Sequence, residues 1–430
     1  MIKTVRGVHD ILPDETSAWQ HLEATARRVF TQYGYRELRT PIFEKSELFA
    51  RAVGATSDIV EKEMYTFSDR GGDPLSLRPE GTASVVRSFI NNSMHRMLPW
   101  RVFYMGPMFR YERPQKGRQR QFHQIGCELF GPEGPLADAE LMVMVMGFFR
   151  SAGVSGNLTL EINSLGCSDC RGPYREKLLA FLQAEKVALC PNCQERMGRN
   201  PLRVLDCKNR GCGEVAGQAP HMLDHLCQSC DEHFKGLTAH LEHLEQDFKV
   251  NPLMVRGLDY YNRTAFEVTT DALGSQNAVA AGGRYDGLVA EMGGQSTPAI
   301  GFAMGMERLA LLLDKERVVD PVATVYLVVV GQGADMSGLA LAEKLRAVGL
   351  AVEMNLSGGS MKSQMKKAGR SKAPITAIIG EREVVEKSVV IKNMLSGEQD
   401  TVDIEGAIDH VLSVQNIIKT EEKRTDHGSD

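Results

Sequence analysis

Residues 106–131 read GPMFRYERPQKGRQRQFHQIGCELFG. Two strand-like runs, predicted over 101–111 and 121–130, are joined by the polar, basic turn ERPQKGRQR, the pattern of an antiparallel hairpin. Arg110, Glu112, Gln124 and Glu128 all fall on even positions. With register kept across the turn they project from one face of a sheet. Alternating charges beside Phe109, Phe122 and Ile125 are costly on such a face unless they meet a ligand. A solvated hairpin laced by cross-strand salt bridges is the plainer alternative.

Upstream, residues 17–33 place Trp19, Leu22, Ala26, Val29, Phe30 and Tyr33 at helical spacing. Gly34 ends that helix, and Tyr35 to Thr40 alternate as a strand that stops at Pro41. In LRPEGT (77–82), Pro79 and Gly81 hold Glu80 in a tight turn. Downstream, a helix near 136–151 precedes a strand over 158–163. Strand-like, Gly-rich sequence resumes at 253–305 and contains VRGLDYYN (255–262) and the glycine loop AAGGRYDGL (280–288). The helix MERLALLLDKE then starts at Met306 and carries Arg308 on its first turn.

This order predicts one sheet-based domain made of residues 1–165 and 251–320, interrupted by a Cys-rich, partly helical insertion over 166–250. Asp320-Pro321 opens a C-terminal unit over 321–420, where strand-like and helical runs alternate as in a small α/β domain. Residues 421–430 are expected to be disordered. The fold class is therefore mixed α/β (α+β), with an antiparallel sheet at its centre.

The 430 residues carry 50 Lys+Arg against 55 Asp+Glu, a formal net charge of −5, and are 43% hydrophobic. That composition excludes a disordered chain. No run reaches the ~18 apolar residues of a membrane helix, so no membrane partner is expected. The N-terminus has no apolar h-region, which predicts a cytoplasmic location. No G-x-x-x-x-G-K-[ST] loop and no strand-linked G-x-G-x-x-G is present, so any nucleotide must be held by arginines.

Eight of the nine cysteines form four couples, Cys167/Cys170, Cys190/Cys193, Cys207/Cys212 and Cys227/Cys230, while Cys127 stands alone. Two-residue gaps let both sulfurs reach one tetrahedral Zn²⁺, so the couples suit one or two Cys₄ sites, with His221 and His225 in reserve. A reduced or partly bridged thiol cluster is the other reading. In the C-terminal unit, SMKSQMKKAGRSK carries Lys362, Lys366 and Lys367 at i, i+4 and i+5 without an acidic residue. Such a face could track a phosphate backbone or lie free in solvent.

Taken together, these motifs resemble the class II aminoacyl-tRNA synthetases. FRYE, the basic loop and RQFHQ resemble their motif 2, GMERL their motif 3, and the helix ending YGYRELRTP their motif 1. RGLDYYNRTAFE and AAGGRYDGL resemble the two signature segments of the histidyl-tRNA synthetase family in its bacterial form, and RGVHDILP and LRPEGT also match. The likeness runs from about residue 3 to 415.

The resemblance implies ATP-dependent attachment of L-histidine to tRNA(His) through a histidyl-adenylate, with Mg²⁺ as cofactor and a homodimer formed through motif 1. By the same resemblance Arg110 binds the α-phosphate and the substrate carboxylate, and Arg256 adds a second cation at the reacting centre and the histidine site. Phe122 and Arg308 sandwich the adenine, and Glu112 reads its amino group. Glu80, Thr82 and Gln124 take the α-ammonium of histidine, Glu128 and Tyr261 take the imidazole, and Tyr260 and Tyr285 line the same pocket. For Tyr260 and Tyr261 the alternative is a pair of core aromatics with satisfied hydroxyls. Arg113, Lys116 and Arg118 of the motif 2 loop and Lys362, Lys366 and Lys367 are expected to meet tRNA, the last three on an anticodon-binding domain. Two competing readings are a synthetase-like regulatory subunit and a pure RNA-binding scaffold. The first typically lacks an anticodon domain and erodes the catalytic arginines; the second has no need of a histidine pocket.

Overall fold

The hairpin sets the register of the central sheet in the computed structural model. This structure describes residues 2–426 except 55–56, 116, 155, 259, 275–276, 315–317 and 319–321, with side chains of the last helix described through Ile418. It divides into two compact units, Met1–Val319 and Asp320–Asp430. The strands of the first unit are β1 (Arg36–Glu37), β2 (Phe43–Lys45), β3 (Thr66–Ser68), β4 (Pro74–Leu77), β5 (Trp100–Phe109), β6 (Gln121–Phe130), β7 (Leu158–Ser164), β8 (Lys249–Val250), β9 (Asn262–Thr270), β10 (Ala278–Arg284) and β11 (Ala299–Gly305). Helices α1 (Pro13–Gln32), α2 (Ser46–Val53), α3 (Thr82–Asn91) and α4 (Pro135–Ala152) precede the insertion. Helices α5 (Ser168–Ala184), α6 (Pro191–Arg199), α7 (Arg210–Ala216) and α8 (Gln228–His243) build it, and α9 (Leu288–Glu291) and α10 (Met306–Leu312) follow.

Eight strands form one sheet in the order β1-β5-β6-β11-β10-β9-β7-β8. Its inner pairings are antiparallel, and the edge strands β1 and β8 pair parallel. Across the hairpin, Gly106 faces Gln124 and Met108 faces Phe122, so even residues stay with even residues as the spacing predicts. The odd face, with Phe103, Ile125, Cys127 and Leu129, packs on Leu22, Val29 and Phe30 of α1 and on the apolar surface of α4. Each such fully buried large side chain contributes about 1.5–3 kcal/mol of transfer free energy. The even face carries Tyr104, Glu128, Gln124 and Phe122 towards the candidate site.

Local sequence explains the main helices. Pro13 opens α1, with Asp14 and Glu15 in the first turn, and Pro135 opens α4. Gly153, at φ 69°, closes α4 in the left-handed conformation that glycine adopts readily.

Two expectations are corrected. The strand predicted over Tyr35 to Thr40 is reduced to Arg36–Glu37. Leu38 N still bonds Phe103 O at 2.8 Å, and past it the Arg78 guanidinium takes the carbonyls of Thr40 and Pro41. Strand β5 ends at Phe109 rather than at Tyr111. Arg110 N still bonds Arg120 O at 2.9 Å, but Tyr111 N turns away to Glu63 O, at 2.7 Å.

The second unit holds a five-stranded sheet of β12 (Val325–Val330), β13 (Val352–Met354), β14 (Ile375–Gly380), β15 (Ser388–Asn393) and β16 (Gln399–Asp403), ordered β13-β12-β14-β15-β16. Its helices are α11 (Ala334–Ala347), α12 (Met361–Ser371), α13 (Glu381–Glu386) and α14 (Ala407–Asp426). Helix α14 thus continues to Asp426, into the segment expected to be disordered, and 427–430 lie outside the described residues.

Candidate active site

A cavity of about 280 Å³ opens on the even face of the sheet, and it has two chemically different ends. At one end, Glu80 sits just before α3 and accepts hydrogen bonds from Thr82 N (2.7 Å) and Ala83 N (2.8 Å). The turn in LRPEGT therefore serves as an acidic cap on the helix. Thr82 Oγ1 donates to Glu128 Oε1 at 2.6 Å, the Tyr285 hydroxyl donates to the other oxygen of Glu128, and the Tyr104 hydroxyl lies 3.5 Å away. Burial is the largest influence on Glu128 and drives its carboxyl up to about 8, with Glu80 adding repulsion and the three hydroxyls pulling the other way. Burial also raises Glu80, against the pull of its two backbone N–H groups.

Glycine makes this end sterically feasible. Gly301 of β11 stands opposite Glu128 in the ladder, and a Cβ there would overlap the carboxylate. Gly126 likewise leaves room for the Tyr104 ring. Tyr260 packs 4.6 Å from Tyr261 and edge-on to Tyr285 at 5.6 Å, so the paired tyrosines wall the pocket rather than fill a remote core.

Cations gather at the other end. Arg110 donates from Nε to Pro79 O (2.8 Å), and its guanidinium carbon lies 5.4 Å from the Phe122 ring centroid. Glu112 is 3.9 Å from Arg110 and is ion-paired with Arg118. Arg308 donates to the carbonyls of Gly117 (3.3 Å) and Ala278 (2.5 Å), which ties α10 to the hairpin loop and to β10. Between the two ends Arg256 is ion-paired with Glu267, and its guanidinium carbon lies 5.4 Å from the Tyr261 ring centroid. Gln124 Oε1 and Arg256 Nε are buried with no hydrogen-bond partner among the described residues. Such atoms normally find one, so both suit a bound polar group.

Glu80, Thr82, Arg110, Glu112, Phe122, Gln124, Arg256, Tyr260, Tyr261 and Arg308 all line this one cavity. Glu128 and Tyr285 sit beneath it, joined to it through Thr82. The residues expected at tRNA are dispersed. Arg113 is exposed, Arg118 lines the cavity wall, and Lys116 lies outside the described residues. In the second unit Lys362 and Lys366 are exposed on α12, whereas Lys367 is half-buried and bonds Asn355 Oδ1 at 2.8 Å.

Sequence reasoning missed the support behind the pocket. Fully buried Arg284 pairs with Asp138 at 2.7 Å, and Asp138 also meets His233 Nε2 (2.8 Å) and Thr264 Oγ1 (2.5 Å). The signal was an aspartate inside the apolar run of α4 and an arginine inside the glycine loop. Glu267, the partner of Arg256, was missed as well.

Two further groups could hold a metal. The sulfurs of Cys167, Cys170, Cys227 and Cys230 lie within 4.8 Å of one another, and so do those of Cys190, Cys193, Cys207 and Cys212.

Residues 7–309 match the family model described as histidyl-tRNA synthetase, and residues 324–413 match the anticodon binding domain. The chain is 48% identical over 406 residues to the histidine–tRNA ligase of Syntrophotalea carbinolica, covering 94% of this chain and 97% of that protein. It is 50% identical over 407 residues to the histidine–tRNA ligase of Trichlorobacter lovleyi, with the same coverage. The crystal structure of apo histidyl-tRNA synthetase from S. aureus superposes with a TM-score of 0.80 at 36% identity, covering 96% of this chain and all of that one.

Proposed function

The chain belongs to the histidyl-tRNA synthetase family, and from the pocket just described we propose that it attaches L-histidine to tRNA(His) in two ATP-dependent steps. One observation carries this reading: a single cavity joins a buried acidic and hydroxyl-rich end to a cation-lined end, with Arg256 between them.

Histidine binds at the acidic end. Its α-ammonium meets Glu80, Thr82 and the unpartnered Gln124 oxygen. Its imidazole donates to Glu128 and accepts from Tyr261, with Tyr260 and Tyr285 closing the walls. A wrong side chain would leave these buried groups unpaired, at a cost of about 1–3 kcal/mol each. Adenine stacks on Phe122 under the Arg308 plane, and Glu112 accepts from its amino group. ATP arrives with Mg²⁺, which offsets charge on its phosphates.

An oxygen of the histidine carboxylate attacks the α-phosphorus. The P–O bond to diphosphate breaks, and its electrons leave with diphosphate. Two anions must approach, and negative charge builds on the phosphoryl oxygens. Arg110 and Arg256 are fixed cations at that point, already oriented by Pro79 and Glu267, so little reorganisation remains. A ribose hydroxyl at the tRNA end then attacks the activated carbonyl, and AMP departs.

The exposed cations Arg113, Lys362 and Lys366, with Lys116, serve the tRNA in this reading. Homodimerisation through the α1–β1 region is supported by the exposed Ile42, Phe43 and Phe67 just beyond it. Among the described residues no helix is long and apolar enough to cross a membrane, and the reading puts the enzyme in the cytoplasm. The thiol clusters line none of this pocket, so zinc held there is structural. Charging of a tRNA(His) transcript with labelled histidine tests the proposal. Acid-stable loading that requires ATP is expected, and no loading with active tRNA would end it. A regulatory subunit or an RNA scaffold would bind ligand or RNA without loading.

A further inference from the structure

The spacing of the eight clustered cysteines gives couples, and the fold decides how they combine. The first couple meets the last, and the two middle couples meet each other. Sulfur separations are 3.7 Å for Cys167–Cys170, 3.8 Å for Cys167–Cys227 and 3.9 Å for Cys190–Cys207. A tetrahedron with Zn–S bonds of about 2.3 Å sets its sulfurs about 3.8 Å apart, whereas a disulfide needs about 2.05 Å. Backbone N–H groups already address two of the sulfurs. Cys227 N donates to Cys170 Sγ, and Cys190 N to Cys212 Sγ, each at 3.1 Å. Such bonds orient and stabilise metal-bound thiolates. In both tetrads two sulfurs are buried and two half-buried, which suits a closed structural site.

The insertion also touches the back of the substrate pocket. Arg171, next to Cys170, donates from Nη2 to the carbonyl of Tyr261 and from Nε to Leu165 O at 3.1 Å. Arg203, between Cys193 and Cys207, donates to Gly257 O at 3.3 Å. The carbonyls of Gly257 and Tyr261 belong to the segment that carries Arg256, Tyr260 and Tyr261. We propose that the insertion binds two structural zinc ions, one at Cys167/Cys170/Cys227/Cys230 and one at Cys190/Cys193/Cys207/Cys212, and that the metal-held insertion positions the 256–261 segment through Arg171 and Arg203. The first tetrad fixes the start of α5 and with it Arg171. The second brackets the turn that presents Arg203. Both arginines are positioning residues. Their effect on histidine rests on the proposed function, whereas the metal sites do not.

Elemental analysis of the full-length protein, purified without chelator or added metal, tests the sites with no assay of activity. About two zinc per chain are expected, falling to about one in Cys212→Ser and in Cys230→Ser. Fewer than about 0.3 zinc per chain, or iron in its place, overturns the assignment. Should the variants fail to fold, titration of the wild-type protein with an organomercurial decides. Release of about two zinc as eight thiols are blocked supports the sites, and release of none overturns them. For the positioning role, Arg171→Ala should raise KM for histidine about tenfold while KM for ATP moves less than about twofold, with zinc content unchanged and partial recovery in Arg171→Lys. An unchanged histidine KM removes Arg171 from that role.

Discussion

The two ends of the pocket solve opposite problems with the same sheet. Around Glu128 and Glu80 the acceptors are held in place before any ligand arrives, by three hydroxyls on one carboxyl and two backbone N–H groups on the other, with lone pairs left to take a donor. At the other end cations gather, Arg110 oriented by the Pro79 carbonyl, Arg256 by the Glu267 carboxylate and Arg308 by the carbonyls of Gly117 and Ala278. In the proposed reading the closed end selects histidine, and the open end meets the charge that develops during the reaction. Damage to the first should therefore fall on histidine recognition, and damage to the second on the rate of activation.

The largest expected effect breaks the open end. Arg256→Ala should lower histidine-dependent ATP–diphosphate exchange by about 10³-fold while far-UV circular dichroism stays unchanged, because a fixed cation at the reacting centre is lost. Exchange near the parent rate would remove Arg256 from the mechanism. Next comes the closed end: Gly301→Ala pushes a methyl into the Glu128 carboxylate and should lower kcat/KM for histidine about 100-fold, with KM for ATP nearly unchanged. A smaller probe is Tyr285→Phe, which deletes one donor to Glu128 and should cost about tenfold in kcat/KM for histidine. Equal losses for histidine and ATP in either variant would erase the division between the ends.

The smallest effect is a pH slope. Glu128 titrates near 8 in the free protein, so below that pH it is mostly protonated and cannot accept from both partners as a carboxylate. Affinity for histidine should rise several-fold as pH climbs from about 6.5 to 8.5, and Glu128→Gln should flatten that profile. Stability of the free protein runs the other way. The folded value lies above the ordinary 4.5, so this group's contribution is complete below 4.5 and is lost as pH rises through about 8. Thermal melts of the wild type and of Glu128→Gln across that window check the sign.

Much of this site was legible because a strand has period two. Parity put Arg110, Glu112, Gln124 and Glu128 on one face, and the observed pairing of Met108 with Phe122 keeps it for Gln124 and Glu128, whereas Arg110 and Glu112 lie past the end of β5 and reach the cavity from the loop. What stayed hidden depends on partners distant in the chain. Past β1, Arg78 takes the carbonyls of Thr40 and Pro41, 38 and 37 residues away. Asp138 and Arg284, 146 residues apart, meet only in the folded core. The cysteine couples were plain in the sequence, yet their assortment into two tetrads is a property of how α5 to α8 pack. Lys367 shared a predicted face with Lys362 and Lys366 but turns to Asn355, which helical spacing alone does not reveal.

Histidine-dependent ATP–diphosphate exchange by the wild-type protein, run in parallel with each of the other amino acids, tests the central claim most directly. Rapid exchange with histidine, and at least about 10³-fold slower exchange with the rest, is the predicted result, since each unpaired buried group adds its own penalty. Exchange that is absent with histidine, or equally fast with another amino acid, would contradict it.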